Sequence, residues 1–420
     1  MNGEIPPASV PAVSMSPNTA AELEANIPGS REPEEYGLAL SGGGIRATLF
    51  HYGALRRIND MGHLREIDRI VGVSGGAIAT GFLAKVWDQL DWDEGGHSTN
   101  LRAKLEPMVM RLAGMPIDIP LVAFGALPFV SPSKWLARIL DLFFFHGLKL
   151  EDIPPERGEQ PRPRFVFNAS DLATGSLFRF SEPYMGTYRV GLVLKPRNIK
   201  VATAVAASAS FPPLVSPLNL DMDPETVKRT RGADLHDRVA LRRRAALVDG
   251  GAYDNLALEP ITDRCHQYLV SDAGGNISVQ PPTWKWWLWT LQVLRTLDIA
   301  IAQDRALRRT ALRLTRDKHP YALWRTLTVP VTRKARTPFD VHRGWPAYLS
   351  TRSTRLWPFS RRDREWLVNW GYVTSDVMLR SWIWEGAAAP TQRDLPFPDS
   401  TFEQPPPEEA DVAEDPDATG

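Results

Sequence analysis

One serine of this 420-residue chain has a sequence context that could make its hydroxyl a nucleophile. Ser74 lies between Gly72 and Gly76 in the sequence GVSGG, which matches the G-x-S-x-G pattern of a sharp strand-to-helix turn. Such a turn lifts the hydroxyl out of the sheet edge, and the positive end of the following helix favours an anionic intermediate. The same five residues also fit an ordinary glycine-rich turn, so this motif alone leaves both interpretations open.

A nucleophilic serine needs a base, and the sequence offers two kinds. In a Ser-His-Asp hydrolase with an α/β-hydrolase sheet, the histidine follows the serine and the acid along the chain. The histidines in that position are His266, His319 and His342. None of them is in a glycine-bounded loop after a strand. Asp249, by contrast, ends the apolar run AALVD, and Gly250 and Gly251 behind it would allow a close approach to a serine. A carboxylate can serve as that base only where a shielded site raises its basicity, and Asp-Gly is also a common turn.

Three consecutive glycines about thirty residues before the serine could bind an oxyanion. In SGGGIRA, Gly42, Gly43 and Gly44 leave backbone N–H groups able to point at one oxygen. A nucleotide-phosphate loop is the competing interpretation, but its fingerprint needs a glycine where Ala47 stands, and no Walker lysine follows. We expect Arg46 to support this loop, to contact a lipid phosphate or to form a structural ion pair.

These motifs occur in the order of the signatures of the patatin-like phospholipases, and residues 36–275 resemble that family. The oxyanion loop is SGGGIRA, the elbow is GVSGG and the acid block is DGG; ASASFP at 207–212 and DGGAYDNLALEP, with Asn255, resemble it more loosely. The resemblance implies that Ser74 forms an acyl-enzyme and that Asp249 takes its proton directly, without a histidine. It also implies that amides around Gly42, Gly43 and Gly44 hold the oxyanion, and that no metal or cofactor is required.

The elements around these motifs predict an α/β fold. Two short apolar strands, each ending in glycines and followed by a helical pattern, form a β-α-β-α start that indicates a largely parallel sheet. We therefore predict a three-layer α/β/α sandwich with a helical insertion at 91–150 and an α-rich C-terminal extension. The predicted segments are a disordered 1–35, a catalytic domain at 36–280, a Trp/Arg-rich extension at 281–385 and an acidic disordered tail at 386–420. In the insertion, the aromatic run Phe143 to Phe145 fits an acyl tunnel, a lid or a buried cluster.

The net charge of zero, from 49 basic and 49 acidic residues, conceals an uneven distribution. Residues 281–370 hold 18 Lys and Arg against 6 Asp and Glu, and 11 of the 14 tryptophans lie between 281 and 390. A helix is predicted from Trp284 to about residue 316. Its arginine stripe consists of Arg305, Arg308, Arg309, Arg313 and Arg316. Such a helix suits an anionic membrane surface, or it packs on the catalytic domain with its arginines paired to acids. No nucleic-acid motif accompanies it.

Composition narrows the class further. The single cysteine, Cys265, excludes an intramolecular disulfide and a cysteine-cluster metal site, and it favours a reducing compartment. No signal peptide or run of 18 apolar residues is present, so we expect a cytoplasmic protein, peripheral at the inner membrane face. The oligomeric state is left open.

The resulting prediction is a lipid acyl hydrolase of the phospholipase A or lysophospholipase type, acting on membrane phospholipids. Three alternatives stay open from the residues: a Ser-His-Asp esterase for small soluble esters, a signal-activated effector that degrades membranes, and a catalytically silent membrane-docking protein.

Overall fold

The structure is a computed structural model that describes residues 34–117, 131–153, 162–212, 215–262, 264–275, 289–354 and 358–407. Eleven strands form one mixed sheet within these ranges. The strands are β1 (Glu34–Leu40), β2 (Ile67–Gly72), β3 (Arg164–Asp171), β4 (Ser176–Phe180), β5 (Tyr184–Thr187), β6 (Gly191–Leu194), β7 (Leu218–Asp221), β8 (Val227–Lys228), β9 (Arg244–Asp249), β10 (Cys265–Asp272) and β11 (Tyr321–Arg325). The α-helices are α1 (Gly44–Asp60), α2 (Gly75–Val86), α3 (Leu101–Leu112), α4 (Pro132–Leu140), α5 (Val201–Ser208), α6 (Val239–Arg243), α7 (Gly251–Asp254), α8 (Glu259–Thr262), α9 (Trp289–Thr315), α10 (Trp345–Thr351) and α11 (Arg361–Trp382).

The middle of the sheet is parallel. Strands run in the order β11-β10-β1-β2-β3, and each neighbouring pair in this group is parallel. Beyond β3 the sheet continues with antiparallel pairs through β4, β5, β6 and β8, while β9 pairs antiparallel with β3 and β7. The predicted α/β class with a parallel centre is confirmed. All parallel strands end at the same edge of the sheet, and this edge carries the loops described below.

Helices cover both faces of the parallel strands, which makes the three layers. Successive side chains of a strand point to opposite faces. Leu38 and Leu40 of β1 therefore pack into the large core around α1, α2 and α11, whereas Ala39 packs into a second core with α8 and the end of α9. Both faces of a parallel sheet must be buried in this way, which explains the nearly continuous apolar sequence of these strands.

The predicted C-terminal extension contributes to the same sheet and the same core. β11 pairs with β10, and the connection through α9 is a β-α-β unit. Helix α11 crosses α1 at two glycines that allow backbone contact: a Cβ at Gly53 would collide with the Val368 carbonyl, and one at Gly371 with the Phe50 carbonyl. Residues 386–407 also reach the core, where Phe402 is buried against Trp345 and Trp370.

The aromatic run of the insertion lies inside the fold. Phe144 and Phe145 are buried and contact Phe82 of α2, whereas Leu142 is exposed. This placement matches the buried-cluster interpretation. Several sequence predictions lie outside the described residues: the N-terminal segment up to residue 33, part of the insertion at 118–130, the tryptophans at 284, 286 and 287, and the acidic tail from 408 onward. No helix among the described residues is long and apolar enough to span a membrane.

Candidate active site

Ser74 occupies a strained turn between β2 and α2. Its backbone has φ 52° and ψ −117°, a conformation that costs a non-glycine residue energy and therefore needs support from its surroundings. The two glycines of the motif, Gly72 and Gly76, allow the surrounding chain to pack closely against this turn, because a larger residue at either position would not fit. A Cβ at Gly72 would collide with the Thr80 hydroxyl, and one at Gly76 with the Leu40 carbonyl. The predicted elbow is thus present, with the serine at the carboxyl edge of the sheet.

Asp249 lies beside this serine at the end of β9. The Ser74 hydroxyl lies close enough to the Asp249 carboxylate to lower the pKa of that acid. The same carboxylate accepts the N–H of Gly251 at 2.7 Å, and the aspartate is only 4% exposed. The Gly250 backbone lies so close to β3 that a Cβ there would collide with the Asn168 carbonyl. The structure therefore brings together the two side chains that the sequence singled out 175 positions apart.

Burial makes the Asp249 carboxylate unusually basic. Desolvation raises its pKa to about 6, although the hydrogen bond from the Gly251 N–H and the nearby Ser74 hydroxyl act in the opposite direction. A carboxylate with this pKa is ionised at neutral pH yet accepts a proton more readily than an ordinary aspartate. This is the condition that direct activation of a serine by an aspartate requires.

The glycine loop between β1 and α1 lies against the elbow. A Cβ at Gly42 would be 3.5 Å from the Ser74 Cβ, and Gly43 and Gly44 have φ values of 143° and 59°. The Gly42 N–H is already used, because it donates to the Asn255 carbonyl at 3.0 Å. The loop therefore offers the amides of Gly43 and Gly44, for which the described part of the chain provides no acceptor.

A third amide with the same property is that of Gly75, the residue after the serine. Among the described residues it has no acceptor, and it is the first residue of α2. The N–H after an elbow nucleophile is a common member of an oxyanion hole. Gly75 was not among the oxyanion-hole residues predicted from the sequence, although its place in the elbow motif was a signal for that role.

Arg46 points into the protein. It is 3% exposed, and its guanidinium donates to the Ala273 carbonyl at 3.2 and 3.0 Å, to Ser350 O at 2.6 Å and to Arg352 O at 2.7 Å. Burial, together with the charge of Arg305, lowers its pKa to about 10. With its donors directed at main-chain carbonyls, Arg46 occupies the position of a loop support rather than of a phosphate ligand.

Ser208, which sequence reasoning placed in a motif without a role, holds the strained serine. Its hydroxyl accepts the Ser74 N–H at 2.9 Å and donates to the Asn168 carbonyl at 2.6 Å. It thereby links the end of α5 to the elbow and to β3. Its place in the ASASFP segment was the available signal.

His51 supports the glycine loop from behind. Its ring nitrogens lie 2.9 Å from the Ser41 carbonyl and 2.7 Å from the Ser271 hydroxyl. Complete burial lowers the pKa of this histidine to about 4, so it is neutral at physiological pH. Its position on a helix with mostly buried residues offered no signal in the sequence.

Two of the candidate histidines lie far from the serine. His266 is at the start of β10 and His319 just before β11, whereas Ser74 follows the end of β2. Because these strands are parallel, the two histidines lie at the opposite edge, about 20 Å away for a strand of this length. His342 lies in the loop before α10, where its Nδ1 accepts the Gly344 N–H at 3.2 Å. No group of three or more His, Cys, Asp or Glu side chains within the described residues is arranged to hold a metal.

A comparison with protein families matches residues 38–261 to Patatin, described as patatin-like phospholipase. This segment is more than half of the chain and contains the elbow, the glycine loop and the acid block. The chain belongs to the patatin-like phospholipase family. The resemblance inferred from the motifs is confirmed. A comparison with curated proteins found no match.

Among solved structures, the patatin-like chain is similar to human GIVD cytosolic phospholipase A2, with a TM-score of 0.44 and 14% identity over 86% of this chain and 64% of that one. It is also similar to VipD from Legionella pneumophila, with a TM-score of 0.36 and 15% identity over 83% of this chain and 67% of that one. The chain thus spans less than two thirds of the human structure it resembles.

Proposed function

We propose that the protein is a lipid acyl hydrolase of the phospholipase A or lysophospholipase type, with a Ser74-Asp249 dyad. The observation that carries this proposal is the position of the Ser74 hydroxyl beside a buried carboxylate whose pKa is raised to about 6. Membership of the patatin-like phospholipases supports the acyl-lipid substrate.

In the first half of the reaction, the Ser74 Oγ attacks the acyl carbonyl carbon while its proton passes to Asp249. The tetrahedral oxyanion accepts hydrogen bonds from the amides of Gly43, Gly44 and Gly75. The C–O bond to the leaving alcohol then breaks, and Asp249 returns the proton to that oxygen. The product is the alcohol, a lysophospholipid or a glycerol derivative, together with an acyl ester on Ser74.

In the second half, a water molecule attacks the acyl-enzyme. Asp249 takes a proton from the water, and the same amides stabilise the second oxyanion. The bond between the acyl carbon and the Ser74 Oγ breaks, and the proton passes from Asp249 to the serine. A free fatty acid leaves, and the dyad returns to its starting state. One residue thus serves as base and acid in both halves, as microscopic reversibility requires.

We also propose that the substrate is taken from a membrane surface by a cytoplasmic, peripherally bound protein. The single cysteine fits a reducing compartment. Three of the five arginines in the predicted stripe are paired with acids: Arg305 and Arg309 pair with Asp272, and Arg308 pairs with Asp254 and Asp304. These arginines face the catalytic domain, as the alternative of a packed helix predicted.

The exposed face of α9 is apolar instead. Trp289 is 71% exposed, Leu307 69% and Leu314 82%, and Val293 shares their side of the helix. Arg305 contacts the end of β10, and the part of this helix that precedes it is about 24 Å long. An apolar helix face led by a tryptophan, next to a lipid hydrolase site, suits the interfacial layer of a membrane.

The test compares wild-type protein with Ser74→Ala and Asp249→Asn on phosphatidylcholine vesicles, with released lipids identified by mass spectrometry. We expect both variants to lose nearly all hydrolysis, because the dyad acts as one unit. His266→Ala, His319→Ala and His342→Ala serve as matched controls and should retain activity. Full activity of Asp249→Asn with loss in a histidine variant would overturn the dyad. Folded, membrane-exposed protein whose Ser74 does not react with a fluorophosphonate would favour a silent docking protein.

A further inference from the structure

One buried carboxylate at the end of β10 faces three arginines. Asp272 has no exposed side-chain surface, and its Oδ1 lies 2.7 Å from Arg305 Nη2. Its Oδ2 lies 3.0 Å from Arg309 Nη1 and 3.9 Å from Arg325 Nε. The first two arginines come from α9 and the third from the end of β11. A single negative charge is thus shared by three positive ones.

Further positive charge surrounds this group. Arg46 acts electrostatically on Asp272 and Arg305, and Arg313 acts on Arg325. Burial lowers the pKa of Arg325, and the charges of Arg309, Arg305 and Arg313 lower it further, which is the mark of like charges held together. Within the described residues, Asp272 is the one acid at ion-pair distance from any of these five arginines. The adjoining sequence at 276–288 contains a lysine and no acid.

Two of these guanidinium groups also have an N–H donor without a hydrogen-bond acceptor among the described residues. The Nε atoms of Arg305 and Arg325 are buried and have no hydrogen-bond acceptor in the described part of the chain. A buried donor without an acceptor is costly, and a charged one more so. Arg305 is itself 7% exposed, so this donor belongs to a side chain that the fold holds in place. A multidentate anion bound at the exposed side of the cluster would offset its excess positive charge.

The cluster is open to solvent and lies on the catalytic edge of the sheet. The side chains of Arg325 and Arg309 are 29% and 17% exposed. Asp272 ends β10, which is separated from β2 by β1 alone, so it lies about 10 Å sideways from the strand that leads to Ser74. Helix α9 also contacts the acid block directly, since Arg308 donates to the Tyr253 carbonyl at 2.8 Å.

We propose that Arg309, Arg313 and Arg325, backed by the buried Arg305, form a phosphate-binding subsite beside the catalytic serine. The ligand is a phosphate group, and its place next to Ser74 assigns it to the head group of an anionic phospholipid. In that form the subsite rests on the proposed function, because it selects which lipid is cleaved. A soluble phosphate compound would satisfy the same donors, and the experiment distinguishes the two sources.

The experiment measures binding in the Ser74→Ala background, so that it does not depend on hydrolysis. Phosphatidylcholine vesicles with and without phosphatidic acid are titrated, and inorganic pyrophosphate is titrated separately. The test variant is Arg313→Gln with Arg325→Gln, both on partly exposed side chains. The control, Arg102→Gln with Arg361→Gln, removes the same charge from exposed helix positions with side chains 57% and 86% exposed. A third variant, Arg313→Lys with Arg325→Lys, retains the charge.

We expect the test variant to lose about tenfold or more in affinity for vesicles with phosphatidic acid, with the lysine variant intermediate and the control unchanged. Binding to pure phosphatidylcholine should not change. Loss of pyrophosphate binding alone, with vesicle binding intact, would overturn the lipid assignment in favour of a soluble phosphate. Equal binding of both probes by the test variant and the control would overturn the subsite. Hydrolysis of a neutral soluble ester by the test variant with an intact Ser74 checks the dyad separately.

Discussion

The proposed nucleophile, Ser74, is held in a backbone conformation that a serine would not adopt alone. Ser74 has a positive φ, and two groups from distant parts of the chain keep it there. The Leu40 carbonyl accepts the N–H of Val73 at 3.1 Å, and the Ser208 hydroxyl accepts that of Ser74 at 2.9 Å. The second bond fixes the residue that carries the reacting oxygen, which makes Ser208 a positioning residue.

We expect Ser208→Ala to lower kcat/KM for a soluble ester about 10- to 100-fold with little change in KM. The substitution leaves the Ser74 N–H buried without its acceptor, a cost of about 1–3 kcal/mol that falls on the strained turn. Ser210→Ala is the matched control, because this hydroxyl lies at the end of the same helix but bonds only the Ala206 carbonyl at 2.6 Å. Equal activity of the two variants would remove Ser208 from the site.

The pKa of Asp249 predicts how activity changes with pH. The carboxylate must be ionised to accept the serine proton, and burial raises its pKa to about 6. We therefore expect kcat/KM to increase through pH 6 and to level off above pH 7, as measured on a soluble ester in buffers of constant ionic strength. A profile that levels off near pH 4 would contradict the raised pKa.

The same group has a predictable effect on stability. The folded protein binds this proton more tightly than the unfolded chain, whose aspartates have pKa values near 4. The contribution of Asp249 to stability is therefore present below pH 4 and is lost as the pH rises through 6. Asp249→Asn should be inactive. The difference in the free energy of unfolding between this variant and wild type should shift in favour of the variant by up to about 2–3 kcal/mol from pH 4 to pH 8. Urea unfolding at the two pH values measures this. A difference independent of pH would contradict it.

At the scale of elements, the oxyanion loop is held between α1 and the chain that follows α10. A Cβ at Gly44 would collide with the Thr354 carbonyl, which shows how closely that chain lies on the loop. Arg46 joins the two, since it bonds the carbonyls of Ala273, Ser350 and Arg352. The loop geometry thus depends on a segment more than 300 positions away.

We expect Arg46→Ala to lower the free energy of unfolding by about 3 kcal/mol or more, because it leaves several buried carbonyls without donors. Arg46→Lys should recover only part of this loss, since one ammonium cannot reach all three acceptors. Chemical denaturation measures both variants. If Arg46→Ala had wild-type stability and an increased KM for phospholipid alone, the arginine would be a substrate ligand instead.

Helix α9 has two faces with different roles, and substitution can separate them. We expect Trp289→Ser with Leu307→Ser to weaken binding to phosphatidylcholine vesicles about tenfold, because each side chain loses its apolar contact with the interface. Hydrolysis of a soluble ester should not change. Gln303→Ser, on the same exposed side, is the control. Unchanged vesicle binding in the double variant would assign this face another role.

At the scale of the whole molecule, the segment after residue 280 is part of the catalytic fold. β11 extends the parallel sheet, and α11 covers α1, whose first turn carries the oxyanion loop. Removing them would expose Phe50 and the rest of the face of α1 that α11 covers.

A chain that ends at residue 275 should therefore fail to fold, whereas one that ends at residue 407 should retain the wild-type melting temperature. Circular dichroism, thermal unfolding and fluorophosphonate labelling of Ser74 test both. A folded, labelled 275-residue chain would show that the catalytic domain is independent of its C-terminal partner.

Much of the site could be predicted because its residues belong to short motifs that follow one another in a fixed order along the chain. Glycine spacing around Ser74 and Asp249 has a local steric cause, since a Cβ at Gly72, Gly75, Gly76 or Gly250 would collide with backbone or a buried hydroxyl. The apolar strands and the β-α-β-α start likewise follow from local periodicity. Strands β5 to β8 and β11 are short and were not predicted, because two to five residues carry too little pattern.

What the sequence by itself determined is the family, through a serine, an acid and a glycine loop in the order of the patatin-like phospholipases. Only the tertiary structure decided how individual groups are used. In the tertiary structure the Gly42 N–H donates to the Asn255 carbonyl, and the buried Arg46 donates to main-chain carbonyls. Arg305 forms an ion pair with Asp272. The physical reason is that motif spacing reports local backbone geometry, whereas the partner of a buried donor or charge comes from a strand or helix distant in the chain.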